Sequence, residues 1–425
     1  MPRPLARVAF AALAVASVTA LVGCTTGGPT PTPTPTPVET FEPTGDGVLK
    51  IGTLFPSSGG LAFLSPGQVA GVRAAVRDIN AAGGVNGEPV VVVSLDSGDA
   101  SSQKAEESFA AFVEQDVDVV IGPSSSVLAQ RLLGLAEEAG IPLISPAATY
   151  PQLTVLDDAD VFFRTIPSYP HQALVLADHF ADADDVETVA VVYSAGDLGE
   201  SFVAAFEAAA RAAREVGVDV AAVEVPSDAA GDALAALVTE VKDAEPDAVV
   251  LATPDNGDQT KALITQLISA GYGGAKLWLT SQNLADYSQA LSGGLLNGVN
   301  GILEGAAADD AFIAKLKIED PGLADARYGA EAYDATVLAA LAAVLAGDDD
   351  GPSVARHLVD ASVGGIKCTS FGECVDVLVT QTDIDYDGIS GSTNFDAAGD
   401  PVRGTYQIMV YNGENKYGRS RVVVG

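Results

Sequence analysis

Basic residues are scarce in this 425-residue chain: 22 lysines and arginines stand against 57 aspartates and glutamates, a formal net charge of −35. Nucleic acids and anionic membrane surfaces both demand clustered Lys and Arg, so neither is a partner. Such a surplus of acid instead favours solubility at a crowded surface. Histidine is almost as rare. His171, His179 and His357 are the three, none in an HExxH pattern or beside a cysteine at zinc-ligand spacing, so no catalytic metal is supported. His171 and His179 are expected on one solvated helix. Neither a G-x-S-x-G elbow nor a P-loop G-x-x-x-x-G-K-[ST] occurs, which leaves hydrolase and nucleotide-binding readings without their required parts. No cofactor is called for. The apolar run Val8 to Val22 spans about fifteen residues, short for a transmembrane helix.

What is plentiful is apolar content, 48% of the chain. With this length it can bury more than one core, and two lobes are expected. Residues 1–23 read as a signal peptide, with Arg3 and Arg7 before the apolar run. It ends Leu21-Val22-Gly23-Cys24, which looks like a bacterial lipobox, in which the cysteine is diacylated and becomes the mature N-terminus. Two acyl chains make a stable anchor where one is marginal. Residues 24–47 then form a Pro-Thr-rich tether with almost nothing to bury, extended at about 3 Å per residue. The expected location is the outer face of the cell membrane, held there by lipid. Cys368 and Cys374 would thus meet an oxidising compartment. They can close a disulfide if the turn brings their Cα atoms within about 7 Å; two free thiols are the alternative.

The stretch Asp118 to Thr149 organises the rest. Val117, Val119, Val120 and Ile121 make a β-branched run without polar alternation, the pattern of a strand buried on both faces of a parallel sheet. Ser124, Ser125 and Ser126 follow Gly122-Pro123 where a helix should begin, and Val127, Leu128, Leu132, Leu135 and Ala139 keep helical spacing up to Gly140. Serine is an ordinary N-cap, and capping alone would explain it. A helix N-terminus also offers free N–H groups and the positive end of the dipole, so these serines can hold a carboxylate. A second strand, Ile141 to Ile144, ends in Ser145-Pro146-Ala147-Ala148-Thr149 on the same sheet edge, so two small polar loops face one crevice.

On these residues the chain resembles the type I periplasmic solute-binding proteins, in particular the leucine/isoleucine/valine-binding branch that serves ABC importers. The matching pieces are Ile121-Gly122 with the serine run, Gly140-Ile141-Pro142 and Ile144 to Thr149. The resemblance runs from about Leu49 to Tyr411, and includes Asp78 to Gly87, Val161 to Pro167, Tyr328 to Ala335 and Tyr386 to Pro401. It implies an α/β fold of two doubly wound parallel-sheet lobes joined by three hinge crossings, near Pro167, Ala306 and Ser392. Residues 48–166 plus 306–392 would form one lobe, and 167–305 plus 393–425 the other. It further implies that Ser126, Ala147 and Thr149, beside Ser124 and Ser125, hold the head group of a small ligand. Leu64 and Leu198 stand where the family usually has an aromatic residue, Asn256 replaces a tyrosine, and Gln282 falls where a carboxylate usually meets the ligand ammonium. Asp197 or Asp255 is then the nearest source of that charge.

Other readings fall to the blander one. Asp96 and Asp99 precede a helix from about Ser101 to Gln115, and two isolated carboxylates there are turn and cap residues rather than metal ligands. The loop 194–200 precedes a helix from about Ser201 to Val216, and the loops 253–257 and 280–283, at strand ends of the second lobe, are expected to face the cleft. The function implied is a monomeric, non-enzymatic, lipid-anchored receptor. It would capture an amino acid, amide or carboxylate and deliver it to an ABC permease. A ligand-sensing receptor and, further off, a secreted α/β hydrolase are the alternatives.

Overall fold

The computed structural model describes residues 44–158, 160–212 and 218–425. The signal peptide, Cys24 and most of the tether lie outside the described residues. The first sheet contains β1 (Lys50–Phe55), β2 (Val91–Asp96), β3 (Val119–Ile121), β4 (Leu143–Ser145) and β5 (Phe162–Arg164) in the order β2-β1-β3-β4-β5, all parallel. Helices α1 (Ser65–Ala81), α2 (Lys104–Val113) and α3 (Ser126–Ala139) follow β1, β2 and β3, and a single turn, α4 (Gln152–Val155), follows β4. β3 is buried at every residue, as its unbroken β-branched run requires. At its end the backbone passes so close to β1 that a Cβ on Gly122 would sit 2.5 Å from the Leu54 carbonyl oxygen, with φ at +122°. Only glycine fits there.

The second lobe begins with α5 (Tyr169–Ala181), then β6 (Thr188–Ser194), α6 (Asp197–Ala212), β7 (Asp219–Val225), α7 (Asp232–Asp243), β8 (Ala248–Ala252), α8 (Asp258–Ser269), β9 (Leu277–Leu279) and β10 (Asn300–Glu304). The chain then returns to the first lobe through α9 (Asp310–Glu319), α10 (Gly329–Ala346), α11 (Gly351–Ser362), β11 (Ile366–Cys368), α12 (Phe371–Leu378), β12 (Ile384–Gly388) and β13 (Gly391–Ser392). It ends in the second with β14 (Thr405–Tyr411) and β15 (Tyr417–Val424). α10 is long and apolar enough to cross a membrane, yet it is buried in the core against α1, α11 and β3, which is why it carries no polar face. Cys368 and Cys374 are joined in a disulfide, with Cα atoms 5.2 Å apart.

Four expectations need correction. The second sheet, ordered β15-β14-β10-β9-β8-β6-β7, is mixed: β14 runs antiparallel to β10 and β15 antiparallel to β14. The third passage between lobes comes later than Ser392, because Phe395 still packs 5.5 Å from Phe163 and Arg164 of β5 pairs with Asp400, both first-lobe contacts. Folded structure starts before Val48: Gly45 N–H donates to Asp348 and Gly47 N–H to Asp349, while Thr44 bonds Asp350. The histidines of α5 are half-buried rather than on a solvated face, since His171 shares a hydrogen bond with Tyr406 and His179 packs on Trp278.

Candidate functional site

The strand ends of both large sheets open on one cleft of about 500 Å³. Two cavities of similar size, about 540 and 610 Å³, lie elsewhere, one among Phe162, Pro352 and Gly399 and the other among Asp247, Trp278 and Arg421. The cleft is the candidate because it gathers residues from both lobes beyond the carboxyl ends of parallel strands, where ligands of such sheets bind.

Its first-lobe wall holds Ser124, Ser125, Ser126, Ala147 and Thr149, with Leu64 and its neighbours Leu61 and Phe63 above. Ser125 is the N-cap of α3, its hydroxyl accepting from Leu128 N–H at 3.5 Å, and Ser126 is the first helical residue. The Ser126 hydroxyl knits the two loops by accepting from the N–H groups of Thr149 (3.0 Å) and Tyr150 (3.2 Å). Accepting leaves its own proton available to donate. Ser124 donates to Gln68 at 2.7 Å. The α3 terminus therefore meets the cleft with hydroxyls and N–H groups together, the arrangement that favours an anion.

The opposite wall comes from the loops after β8 and β9 and from the end of β10. Asp255 and Asn256 are exposed on the first of these loops, and Asp255 is occupied in part by the Gly257 N–H at 2.7 Å. Gln282 spans the cleft, its Nε2 donating to Thr149 Oγ1 at 3.4 Å. Asp197 and Leu198 are not brought to the cleft. α6 begins at Asp197, earlier than expected, so Asp197 becomes an acid in a helix first turn and Leu198 packs toward the second-lobe core. Asp96 and Asp99 build turns: Asp96 accepts from Ser57 and Gly98 N–H and Asp99 from Ser101, while Gln103 takes the cap position of α2.

The structure adds residues that the sequence reading passed over: Glu304, Arg327, Tyr328, Phe63 and Tyr150. Glu304 ends β10 and is 4% exposed, with Gln172 Nε2 donating to one carboxylate oxygen at 2.5 Å and the Tyr328 hydroxyl 3.5 Å from the other. Burial raises its carboxyl above the ordinary range, and the hydrogen bonds offset this only in part. Its signal was an acid closing an otherwise apolar strand, Gly301-Ile302-Leu303-Glu304. Arg327 lies over the Phe63 ring, 4.9 Å from its centroid, and its fork is taken by Asp325 at 2.6 and 2.9 Å. Burial works against the Asp325 charge, but the hydrogen bonds from Arg327 outweigh it and hold that carboxyl below its usual range. Tyr328 has φ +56°, a left-handed backbone that aims the chain into α10. Burial raises its hydroxyl well above 10.

Among the described residues no group of three or more His, Cys, Asp or Glu is placed to hold a metal. The Periplasmic binding protein family matches residues 48–412 of this chain. The substrate-binding protein BasB of a chemotactic signal transduction system in Halobacterium salinarum is 27% identical over 372 residues, 83% of this chain and 85% of its own length. The Leu/Ile/Val-binding protein homolog 3 of Brucella melitensis is 29% identical over 346 residues, covering 76% and 88%. Among solved structures, the branched-chain amino acid transporter substrate-binding protein LivJ of Streptococcus pneumoniae, in complex with isoleucine, shares the fold at TM-score 0.62. It is 22% identical, and the match covers 89% of this chain and all of LivJ.

Proposed function

Because the chain belongs to the periplasmic binding protein family, whose relatives named above are solute-binding proteins and not enzymes, we propose that it captures a small polar solute between its lobes and delivers it to an ABC permease. The observation that carries this is the cleft itself, where Ser124, Ser125, Ser126, Ala147 and Thr149 face Asn256 and Gln282 across the space between two sheets. An amino acid, an amide or a carboxylate suits the hydroxyl-rich helix end, and the lobes closing on it would exclude water. Lipid on Cys24 would hold the receptor at the outer face of the membrane, with the Pro-Thr-rich tether as the leash.

Gln282 stands where a counter-carboxylate would meet a ligand ammonium, so the cation of an amino acid must find its partner elsewhere in the cleft. Native mass spectrometry of the purified protein tests capture directly: a retained small molecule, released unchanged on unfolding, is expected. A chemically altered product would sink the reading. Sensing is a second reading, supported by the chemotactic relative BasB. A partner membrane receptor, in place of a permease, recovered by cross-linking would favour it.

A further inference from the structure

Glu304 is a buried carboxyl facing a ligand-sized cleft with only neutral partners. Gln172 and Tyr328 hold its two oxygens, and among the described residues no lysine, arginine or histidine lies within ion-pair distance of it. Arg327, the cation in the lining, is spent on Asp325. Gln172 is itself fully buried and also bonds Ser281 through both Ser281 Oγ and N–H, at 2.8 and 3.2 Å, so the Glu304 side chain is held in place rather than left to swing out to water. A charge placed so is costly unless a cation meets it.

We infer that Glu304 is the residue that receives a cationic group of the ligand, so that the cleft selects small molecules carrying an ammonium or guanidinium group and rejects simple carboxylates. This rests on the capture reading above. The two walls then have opposite character: the α3 terminus with its serine hydroxyls offers positive potential, and Glu304 across from it offers negative. A zwitterion spans both. Asp255, at the exposed rim, adds negative potential that draws cations in but is too solvated to hold one firmly.

The test is calorimetric titration of the full chain with glutamine, lysine, putrescine, benzoate and succinamate, in the wild type and in Glu304→Gln and Glu304→Asp. Amine-bearing probes should bind the wild type and benzoate and succinamate should not. Glu304→Gln should weaken the best amine roughly tenfold to a hundredfold, the loss expected for a hydrogen bond to a charged group, and Glu304→Asp should recover part of it. Unchanged thermal unfolding of the variants keeps the loss from being one of folding. If Glu304→Gln does not fold, the wild-type preference for amines over the two carboxylates decides alone. Binding of carboxylates in preference to amines, or equal amine binding by Glu304→Gln, overturns the assignment and leaves the receptor intact. No binding by any probe, together with no retained small molecule, removes the receptor reading and this one with it.

Discussion

The Ser126 hydroxyl links the two first-lobe loops and, on the capture reading proposed above, would donate to the ligand. Ser126→Ala should therefore weaken any true ligand by roughly tenfold to a hundredfold and also lower stability, since it strips the acceptor from the buried Thr149 N–H and the half-buried Tyr150 N–H. Titration with the solute identified by mass spectrometry measures it, and unchanged affinity would contradict the placement. Glu331 bears on stability instead. It is 1% exposed, accepts from Ala306 N–H at 2.5 Å and has no partner for Oε2 among the described residues. Burial, against the opposing pull of that N–H, moves its carboxyl from 4.5 to about 8. Between those values the folded chain keeps a proton that the unfolded chain has released, so stability falls as pH rises through the window and levels off above it. Glu331→Gln should flatten that fall. Urea midpoints at pH 5 and pH 8 for both proteins test this, and an equal drop in the variant would assign it elsewhere.

Elements defined by an unbroken apolar period were legible in the sequence. β3 stands where Val119 to Ile121 put it, because burial on both faces leaves no other pattern, and α3 where the spacing from Leu128 to Ala139 turns one face to the core. β14 and β15 were passed over, since Gln407 interrupts the apolar pattern of the first and the second, with Arg419 and Arg421, is an edge strand facing water that carries a weak signal. The start of α6 was missed because Gly196 and Gly199 looked like loop residues, although Asp197 and Glu200 are first-turn acids. In the cleft, the serine and threonine positions were accessible through local motif. Glu304 and Arg327 were not, because their proximity to Ser126 depends on the chain crossing between lobes, once before Glu304 and twice before Arg327. The disulfide ties β11 to α12 across a six-residue separation. Closing so short a loop limits the unfolded chain by about 2 kcal/mol, so Cys368→Ala with Cys374→Ala should lower stability by about that much in denaturant titration. A loss near zero would mean the turn from β11 into α12 is ordered without it.

For the molecule as a whole, lobe closure predicts a smaller radius of gyration when ligand is added, read by small-angle scattering at saturation. Identical curves with binding verified would argue against a hinge. Cys24→Ala should release the protein from the membrane or leave its leader uncut, and a processed variant still in the membrane fraction would count against lipid anchoring. The passages between lobes also bear on each other. Arg164 before the first is paired with Asp400 before the third, Thr165 of the first donates to the Glu331 carbonyl, and the Glu331 carboxylate receives the Ala306 N–H of the second. Gly305 N–H in turn donates to the Thr405 carbonyl beyond the third. Three strands of polypeptide are thereby pinned at one knot. Like the leaves of a door hung on a single bolt, lobes that close as proposed would have one principal axis to swing about, and a substitution in any one strand should stiffen or slacken the swing of all three.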